Sequence, residues 1–145
     1  MRNMTLPNIA KAVNGKLYIT DAVPDTEADS VIIDSRLAGK NSIFVAVKGE
    51  RTDGHSYIGS VLEKGALGVI CEHLPNDRDL MDKGAFILVK DSLIALKELA
   101  KYYRQQLDVK IFGIVRSVGK TSTKELVASV LSEHFPTLKT EGNFI

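Results

Sequence analysis

Apolar residues along the chain fall into two patterns, short runs bounded by turn-forming residues and longer segments with a helical repeat. The short runs predict strands at residues 16–19, 30–33, 42–47, 66–71 and 85–89. The last of these runs is apolar throughout, which is typical of a central parallel strand. Because strand-like and helix-like segments alternate, the sequence predicts an α/β fold, with a small mixed sheet in its first part.

The helical segments predict how the chain continues around and beyond that sheet. Thr5 is the expected N-cap of a short first helix. Either Asp91 or Ser92 can cap a longer helix, whose apolar positions line one face as far as Tyr103. An apolar run over residues 109–115 predicts a further buried strand, which would complete a βαβ unit.

The remaining segments predict two more helices, a strand and a surface loop. A short helix is expected from the spacing that begins at Tyr57, and a longer one over residues 120–134. Residues 137–140 are the expected start of one more strand, and the polar segment 73–83 is expected to be a surface excursion. The buried side of the longer helix would consist of Leu126, Val127, Val130 and Leu131.

The composition is that of an ordinary globular protein and excludes several classes of function. The chain has 44% hydrophobic and 26% charged residues, and its formal net charge of +1 argues against a nucleic acid or an anionic membrane as partner. No window approaches the roughly 20 apolar residues of a membrane span, and the start lacks an apolar run of signal-peptide length, so we expect a cytoplasmic protein. With Cys71 alone and three scattered histidines, neither an internal disulfide nor a metal cluster is expected.

The length limits how much of an enzyme the chain can contain. At 145 residues it has about the size of one ordinary domain. A nucleotide-driven synthetase needs a nucleotide site, an acceptor site and usually a closing domain, which together exceed this length. Any motif of a large enzyme found here is therefore expected to be part of a larger catalytic machine.

One loop has the form of a nucleotide-binding motif. Gly119-Lys120-Thr121 matches the last three residues of a phosphate-binding loop. In such a loop, N–H groups at the helix start face the phosphates, the lysine neutralises β/γ oxygens, and the threonine hydroxyl reaches Mg²⁺. The full pattern G-x-x-x-x-G-K-S/T requires a glycine where the chain has Ile114. From spacing alone, a phosphate loop and a Gly-Lys turn that merely caps an ordinary helix are about equally supported.

These residues resemble the Mur ligases, ATP-dependent amide ligases of peptidoglycan synthesis. The family's loop T-G-S-x-G-K-T-S/T is matched from Ser117 to Ser122, and residues 139–144, Lys-Thr-Glu-Gly-Asn-Phe, are similar to the K-T-x-G-N-F stretch of the branch that adds D-alanyl-D-alanine. Asp34-Ser35-Arg36 and residues 44–55 are similar to the amino-terminal domain that holds the uridine nucleotide-sugar. The similarity covers nearly the whole chain, in family order.

The resemblance implies a reaction, its substrates and the residues that serve it. ATP phosphorylates the carboxylate of a UDP-N-acetylmuramoyl (UDP-MurNAc) tripeptide, and the amine of D-alanyl-D-alanine (D-Ala-D-Ala) attacks the acyl phosphate. Lys120 would act on the β/γ phosphates and Thr121 would ligate Mg²⁺, and these two are the implied catalytic residues. The ATP-binding residues would be Arg116, Ser117, Val118, Gly119, Lys120, Thr121 and Ser122. The uridine nucleotide pocket would be lined by Ser35, Arg36, Lys48, Gly49, Thr52, Asp53, Gly54 and His55.

Plainer interpretations remain open for several of these residues. Arg36 and Arg51 could be solvated surface charges, although the planar fork of Arg36 suits a pyrophosphate. His55 could simply bond a turn carbonyl, and Asp53-Gly54 could be only a tight turn.

Two departures from the family limit what the resemblance implies. Val115-Arg116 replaces the family's Thr-Gly, and an arginine brings a side chain where a glycine lets the backbone approach phosphate, so we expect weakened ATP binding. Alternatively, Arg116 swings outward and adds a cation for the phosphates. The sequence also ends at Ile145, within the family's asparagine-rich loop, so ligation by this chain alone is not expected.

The departures set the expected organisation. Residues 1–90 would form the UDP-sugar-binding domain, and residues 91–145 would form the beginning of a P-loop ATPase domain, incomplete. The unpaired strand 109–115 would expose an apolar edge, so the tail of residues 109–145 would pack back on the first domain, pair with a second chain or be mobile. The alternative function is a non-catalytic module that binds UDP-sugars or contacts another protein.

Overall fold

The computed structural model describes residues 1–21 and 23–141 and contains two compact units, Met1–Leu107 and Asp108–Ile145. The boundary that the sequence predicts at residue 90 divides two functional parts and not two compact units. The first compact unit also includes the helix that follows residue 90, which packs on the first helix of the chain. The functional assignment of the two parts stays a prediction.

The first unit is built on a five-stranded mixed sheet, and all five strands predicted for it are confirmed, with slightly shorter bounds. The strands are β1 (Lys16–Tyr18), β2 (Ser30–Ile32), β3 (Ser42–Val45), β4 (Gly68–Cys71) and β5 (Ala85–Leu88). Their order in the sheet is β1-β5-β4-β3-β2. β2 to β5 are parallel, and β1 pairs antiparallel with β5, with Phe44 opposite Val69 and Val69 opposite Phe86 in the register.

Helices cover both faces of this sheet, as expected for a sheet whose inner strands are parallel. The helices of the unit are α1 (Leu6–Ala12), α2 (Ile58–Glu63), α3 (Arg78–Met81) and α4 (Ser92–Gln105). α1 and α4 pack on one face, where Ile9 and Leu99 belong to the same hydrophobic cluster as Ile43. α2 packs on the other, where Val61 belongs to the same cluster as Phe44. β3 and β4 are therefore buried along their whole length.

Local signals place the helix starts. Thr5 precedes α1 with an extended backbone but makes no side-chain cap, whereas Asp91 caps α4 by accepting a hydrogen bond from the Ile94 N–H at 2.8 Å. The polar segment 73–83 contains one turn of helix, α3, that the sequence did not predict. Asp77 caps it by accepting from the N–H of Asp79 at 2.9 Å, a purely local bond.

The second unit is described as far as residue 141 and contains α5 (Lys120–Ser132). The prediction of a strand at 109–115 is wrong, because residues 107–116 have no regular structure and Val115 is 94% exposed. A strand requires a neighbour for its backbone hydrogen bonds, and the described part of this unit supplies none, so the predicted βαβ unit is not completed. The strand expected at 137–140 is absent for the same reason.

The predicted buried side of the last helix is also corrected. Leu126 is 68% exposed and Val130 is exposed as well, Val127 and Leu131 are half-buried, and Ala128 is the buried residue of α5. An amphipathic stripe becomes buried only where another element packs on it, and the described part of this unit covers only part of that stripe. Among the described residues, no helix has both the length and the apolarity needed to cross a bilayer.

The buried sheet generates a first prediction. We expect Phe86→Ala to lower the free energy of unfolding by about 3–5 kcal/mol, because the ring is fully buried and its removal leaves a cavity. The matched control is Phe112→Ala, at a ring that is 65% exposed, with an expected change below about 0.5 kcal/mol. Urea denaturation followed by circular dichroism measures both, and equal losses would contradict the assigned core.

Candidate functional site

Polar loops follow the carboxyl ends of three neighbouring parallel strands in the first unit. Asp34 comes two residues after β2, Lys48 three residues after β3, and Glu72 directly after β4. Parallel strands end at the same edge of a sheet, and ligands of open α/β sheets bind in the crevice outside that edge. These loops form the candidate site of the first unit.

The Arg36 side chain at this edge is held by Asp34. Asp34 Oδ1 accepts a hydrogen bond from the backbone N–H of Arg36 at 2.9 Å and so caps the 3₁₀ turn Ser35–Leu37. The guanidinium adds bonds of 2.9 and 3.0 Å from Nε and of 2.6 Å from Nη2 to the same carboxylate. The Arg36 side chain is 87% exposed, so the guanidinium can still bond a ligand with its remaining N–H groups.

This contact shifts the titration of both partners. The side-chain and backbone hydrogen bonds from Arg36 favour the charged carboxylate and lower the pKa of Asp34 from 3.8 to about 2. The same carboxylate raises the pKa of Arg36. The turn itself is tied to α2, because Lys64 Nζ donates to the Ser35 carbonyl at 2.9 Å.

A closed loop over residues 48–53 lies at the end of β3. Lys48 and Asp53 face each other in a single antiparallel bridge, inside which the Gly49 N–H donates to the Thr52 carbonyl at 2.9 Å. The next residue must be glycine, because a Cβ on Gly54 would lie 2.8 Å from the nitrogen and 2.9 Å from the oxygen of the residue-47 backbone. The two ends of the loop, which form its base, are therefore held close together, and the loop presents Lys48, Gly49 and Thr52.

The His55 ring is packed at that base. Its Nδ1 lies 2.6 Å from Asp53 Oδ1, and its Nε2 accepts a hydrogen bond from the Glu72 N–H at 3.0 Å. The side chain is 7% exposed and stacks on the His73 ring at 4.1 Å between centroids. The plainer interpretation, a bond from His55 to a turn carbonyl, is wrong. The backbone and side-chain hydrogen bonds of His55 lower the pKa of Asp53.

Glu72 is the residue at this edge that sequence reasoning missed. Its backbone N–H reaches His55, and its carboxylate oxygen Oε1 accepts from the N–H of Ser92 at 2.9 Å, at the start of α4. The available signal was its position as the first polar residue after a buried strand. All eight residues predicted to line a uridine pocket lie in the loops after β2 and β3, although the ring of His55 faces the protein.

The predicted phosphate loop lies in the second unit, at the start of α5. Ser117 and Val118 form a bend, and Gly119 is the N-cap with a φ of 74°, a left-handed conformation that glycine adopts without strain. Lys120, Thr121 and Ser122 are the first three residues of the helix. Gly119 has no side chain to cap the helix, and helix starts of this kind commonly bind phosphate.

Arg116 turns towards this helix and does not swing outward. Its Nη1 donates to Thr123 Oγ1 at 2.8 Å, in the first turn of α5. Within the described part of the chain, the only glycines with positive φ are Gly65 and Gly119, and Arg116 is not among the other residues with positive φ. Arg116 therefore keeps an ordinary backbone and brings its charge close to the helix start.

Residues after α5 pack back on the helix. Lys124 Nζ donates to the Thr140 carbonyl at 2.6 Å, and Lys139 pairs with Glu125, lowering the pKa of that carboxyl. The Gly-Asn-Phe segment at 142–144 lies outside the described residues. Among those described, no group of three or more His, Cys, Asp or Glu side chains could hold a metal ion.

Comparisons with known proteins show what the chain is similar to. The model of the Mur ligase family, catalytic domain, matches residues 27–104. UDP-N-acetylmuramoyl-tripeptide--D-alanyl-D-alanine ligase of Bacillus subtilis is 37% identical over 99% of this chain and 31% of its own length. The ligase of the same name from Escherichia coli is 36% identical over 99% of this chain and 30% of its length.

Solved structures give the same result. MurF from Acinetobacter baumannii superposes with a TM-score of 0.81 and 35% identity, over 93% of this chain and 29% of that one. MurF ligase from Thermotoga maritima in complex with ADP superposes with a TM-score of 0.70 and 30% identity, over 88% and 28%. The chain thus spans about three tenths of the length of the curated relatives it matches. Because the family match covers more than half of its residues, the chain belongs to the Mur ligase family.

Proposed function

We propose that the chain supplies the nucleotide-binding loops of an ATP-dependent ligase that joins D-Ala-D-Ala to a UDP-MurNAc tripeptide in the cytoplasm. The first unit would bind the uridine nucleotide. The observation that carries this proposal is the exposed Arg36 guanidinium, oriented by Asp34 at the carboxyl edge of the parallel strands. Relatives named for this reaction, similar over nearly the whole chain, support it.

The chemistry of the edge suits a uridine diphosphate group. The guanidinium fork of Arg36 can bond two phosphate oxygens with parallel N–H groups, a fixed planar geometry that a lysine ammonium lacks. Lys48 adds a second cation, and the Thr52 hydroxyl can donate to sugar or phosphate oxygens. Asp34 aligns the guanidinium before the ligand arrives, so less side-chain freedom is lost on binding.

The start of α5 would hold the phosphates of ATP. Two features of this helix start suit a phosphate group, the left-handed conformation of Gly119 and the positions of Lys120 and Thr121. One feature differs from the family's loop, the arginine at 116. Mg-ATP would supply the γ-phosphoryl group that activates the substrate carboxylate. Lys120 would neutralise the β/γ oxygens, Thr121 would ligate the metal, and the backbone from Ser117 to Ser122 would cradle the phosphates. A MurF relative in complex with ADP supports nucleotide binding in the family.

These residues bind the two nucleotides, and none of them is assigned to D-Ala-D-Ala. We therefore expect binding without ligation from this chain alone. A second candidate, a non-catalytic module that binds UDP-sugars or contacts another protein, is favoured by Arg116 in the phosphate loop.

Self-association of the chain stays a prediction. Its basis is the exposed apolar side chains of Ile111, Phe112 and Val115 and not a strand edge.

Arg36 provides the direct test of uridine nucleotide binding. We expect Arg36→Gln to weaken UDP binding by about tenfold or more, because a charge-assisted contact to phosphate is lost. Arg78→Gln, which removes an exposed arginine from α3, is the matched control and should leave the affinity unchanged. Isothermal titration calorimetry measures both. Equal affinities for wild type and Arg36→Gln would make Arg36 a solvated surface charge.

The orientation of Arg36 by Asp34 predicts a pH dependence. The pKa of Asp34 is about 2 against an ordinary 3.8, so the contact stabilises the fold above about pH 3.8 and is lost as the pH falls towards 2. In Arg36→Gln we expect the pKa of Asp34 to rise towards 3.8, while that of Asp53, lowered by His55, stays unchanged. Carboxyl ¹³C NMR titration follows both groups. An ordinary Asp34 pKa in the wild type would contradict the contact.

Arg116 gives a test for the second nucleotide. We expect Arg116→Gly to bind Mg-ATP about tenfold more tightly than the wild type, because glycine removes the side chain and restores backbone freedom beside the phosphates. Arg116→Lys keeps a long cationic side chain without that freedom and should stay weak. Calorimetry in Mg²⁺ buffer compares the three proteins, and wild-type binding as tight as that of the glycine variant would refute the expected weakening.

A further inference from the structure

We propose that His55 is a positioning residue which, as the neutral ring with its proton on Nδ1, fastens the 48–53 loop to the end of β4 and so holds that loop ready for the uridine nucleotide. The inference rests on the proposed function of the loop. It replaces the expectation that His55 lines the pocket. Three observations carry it: the partners of the two ring nitrogens, the burial of the ring, and the continuation of the contact into α4.

The hydrogen-bond partners determine the protonation of the ring. The Glu72 backbone N–H can only donate, so the Nε2 atom it approaches at 3.0 Å must offer a lone pair. A neutral imidazole has one N–H and one acceptor nitrogen, which places the proton on Nδ1. That N–H then donates to Asp53 Oδ1 at 2.6 Å, the oxygen that also accepts from the His55 backbone N–H at 3.0 Å.

The packing of the ring leaves it no role as a ligand contact. Its side chain is 7% exposed, and one face is covered by the His73 ring, inclined by only 13°. Turning the ring towards a ligand would break both nitrogen contacts and leave the Glu72 N–H without its acceptor, which is costly. The groups that can reach a ligand are those of the loop, whose base is closed by the pairing of Lys48 with Asp53.

The contact continues into the next element of the fold. Glu72, whose backbone N–H donates to His55, also accepts a hydrogen bond through its carboxylate. The donor is the N–H of Ser92, at 2.9 Å. His55 belongs to the segment that follows β3, Glu72 follows β4, and Ser92 begins the helix that follows β5. A single chain of hydrogen bonds therefore fixes the relative positions of three neighbouring strand ends at the proposed binding edge.

Two substitutions test the contacts of the two ring nitrogens separately. His55→Asn places an amide near the position of Nδ1, so it can still bond Asp53 but does not reach Glu72. His55→Gln places an amide oxygen near the position of Nε2, where it can accept from the Glu72 N–H. His134→Gln, at an exposed histidine of the second unit, is the matched control.

Three measurements test the proposal, the first on the wild type and the other two on every protein. Long-range ¹H–¹⁵N NMR of the wild type should show His55 with a protonated Nδ1 and an unprotonated Nε2. The Glu72 amide should exchange with solvent about tenfold faster in His55→Asn, and UDP, measured by calorimetry, should bind about tenfold more weakly. His55→Gln should remain close to the wild type in both respects, and His134→Gln should match it.

The outcomes that overturn the proposal are distinct. A wild-type ring protonated on Nε2 would refute the contact with Glu72. Weaker UDP binding in His55→Asn with unchanged Glu72 exchange would mean that the ring touches the nucleotide, and equal losses in the Asn and Gln variants would remove the assigned role of Nε2. If the wild type does not bind UDP, the proposed function fails, while the exchange rate and the ring tautomer still decide whether the loop is fastened.

Discussion

The burial of the parallel strands on both faces is the constraint from which the rest of the first unit follows. β3 and β4 have no exposed residue along their length, so neither face of the sheet there can present a polar group. Polar chemistry is confined to the ends of the strands, and because the strands are parallel, their carboxyl ends share one edge. Asp34, Lys48 and Glu72 lie at that edge for this reason.

Short-range carboxylate contacts give this edge its shape. Asp34 bonds the residue two positions later, Asp53 does the same with His55, and Asp91 caps α4 three positions on. Each of these contacts is encoded within a few residues of sequence and forms wherever the backbone makes a turn. The long-range contact through Glu72 is different, because it exists only after the strands have assembled side by side.

The second unit shows what happens to an apolar segment beside which the described residues form no strand. Residues 109–115 have the composition of a buried strand, yet they form none and leave Phe112 and Val115 exposed. α5 forms regardless, because a helix closes its hydrogen bonds within itself. The start of α5 therefore retains the arrangement of Gly119 and Lys120 on which the proposed ATP contacts depend.

The sequence by itself determined the five strands of the sheet, the helices α1, α2, α4 and α5 and the family, since these follow from local periodicity, turn chemistry and motif. Prediction from sequence failed where the answer depended on a partner: the unformed strand at 109–115, the exposed Leu126 and the side chain that Arg116 contacts. It also missed the bonds of Glu72. Only the tertiary structure decided that the His55 ring faces inward, because hydrogen bonds between residues distant in sequence depend on which strands come to lie together, and no local pattern records that.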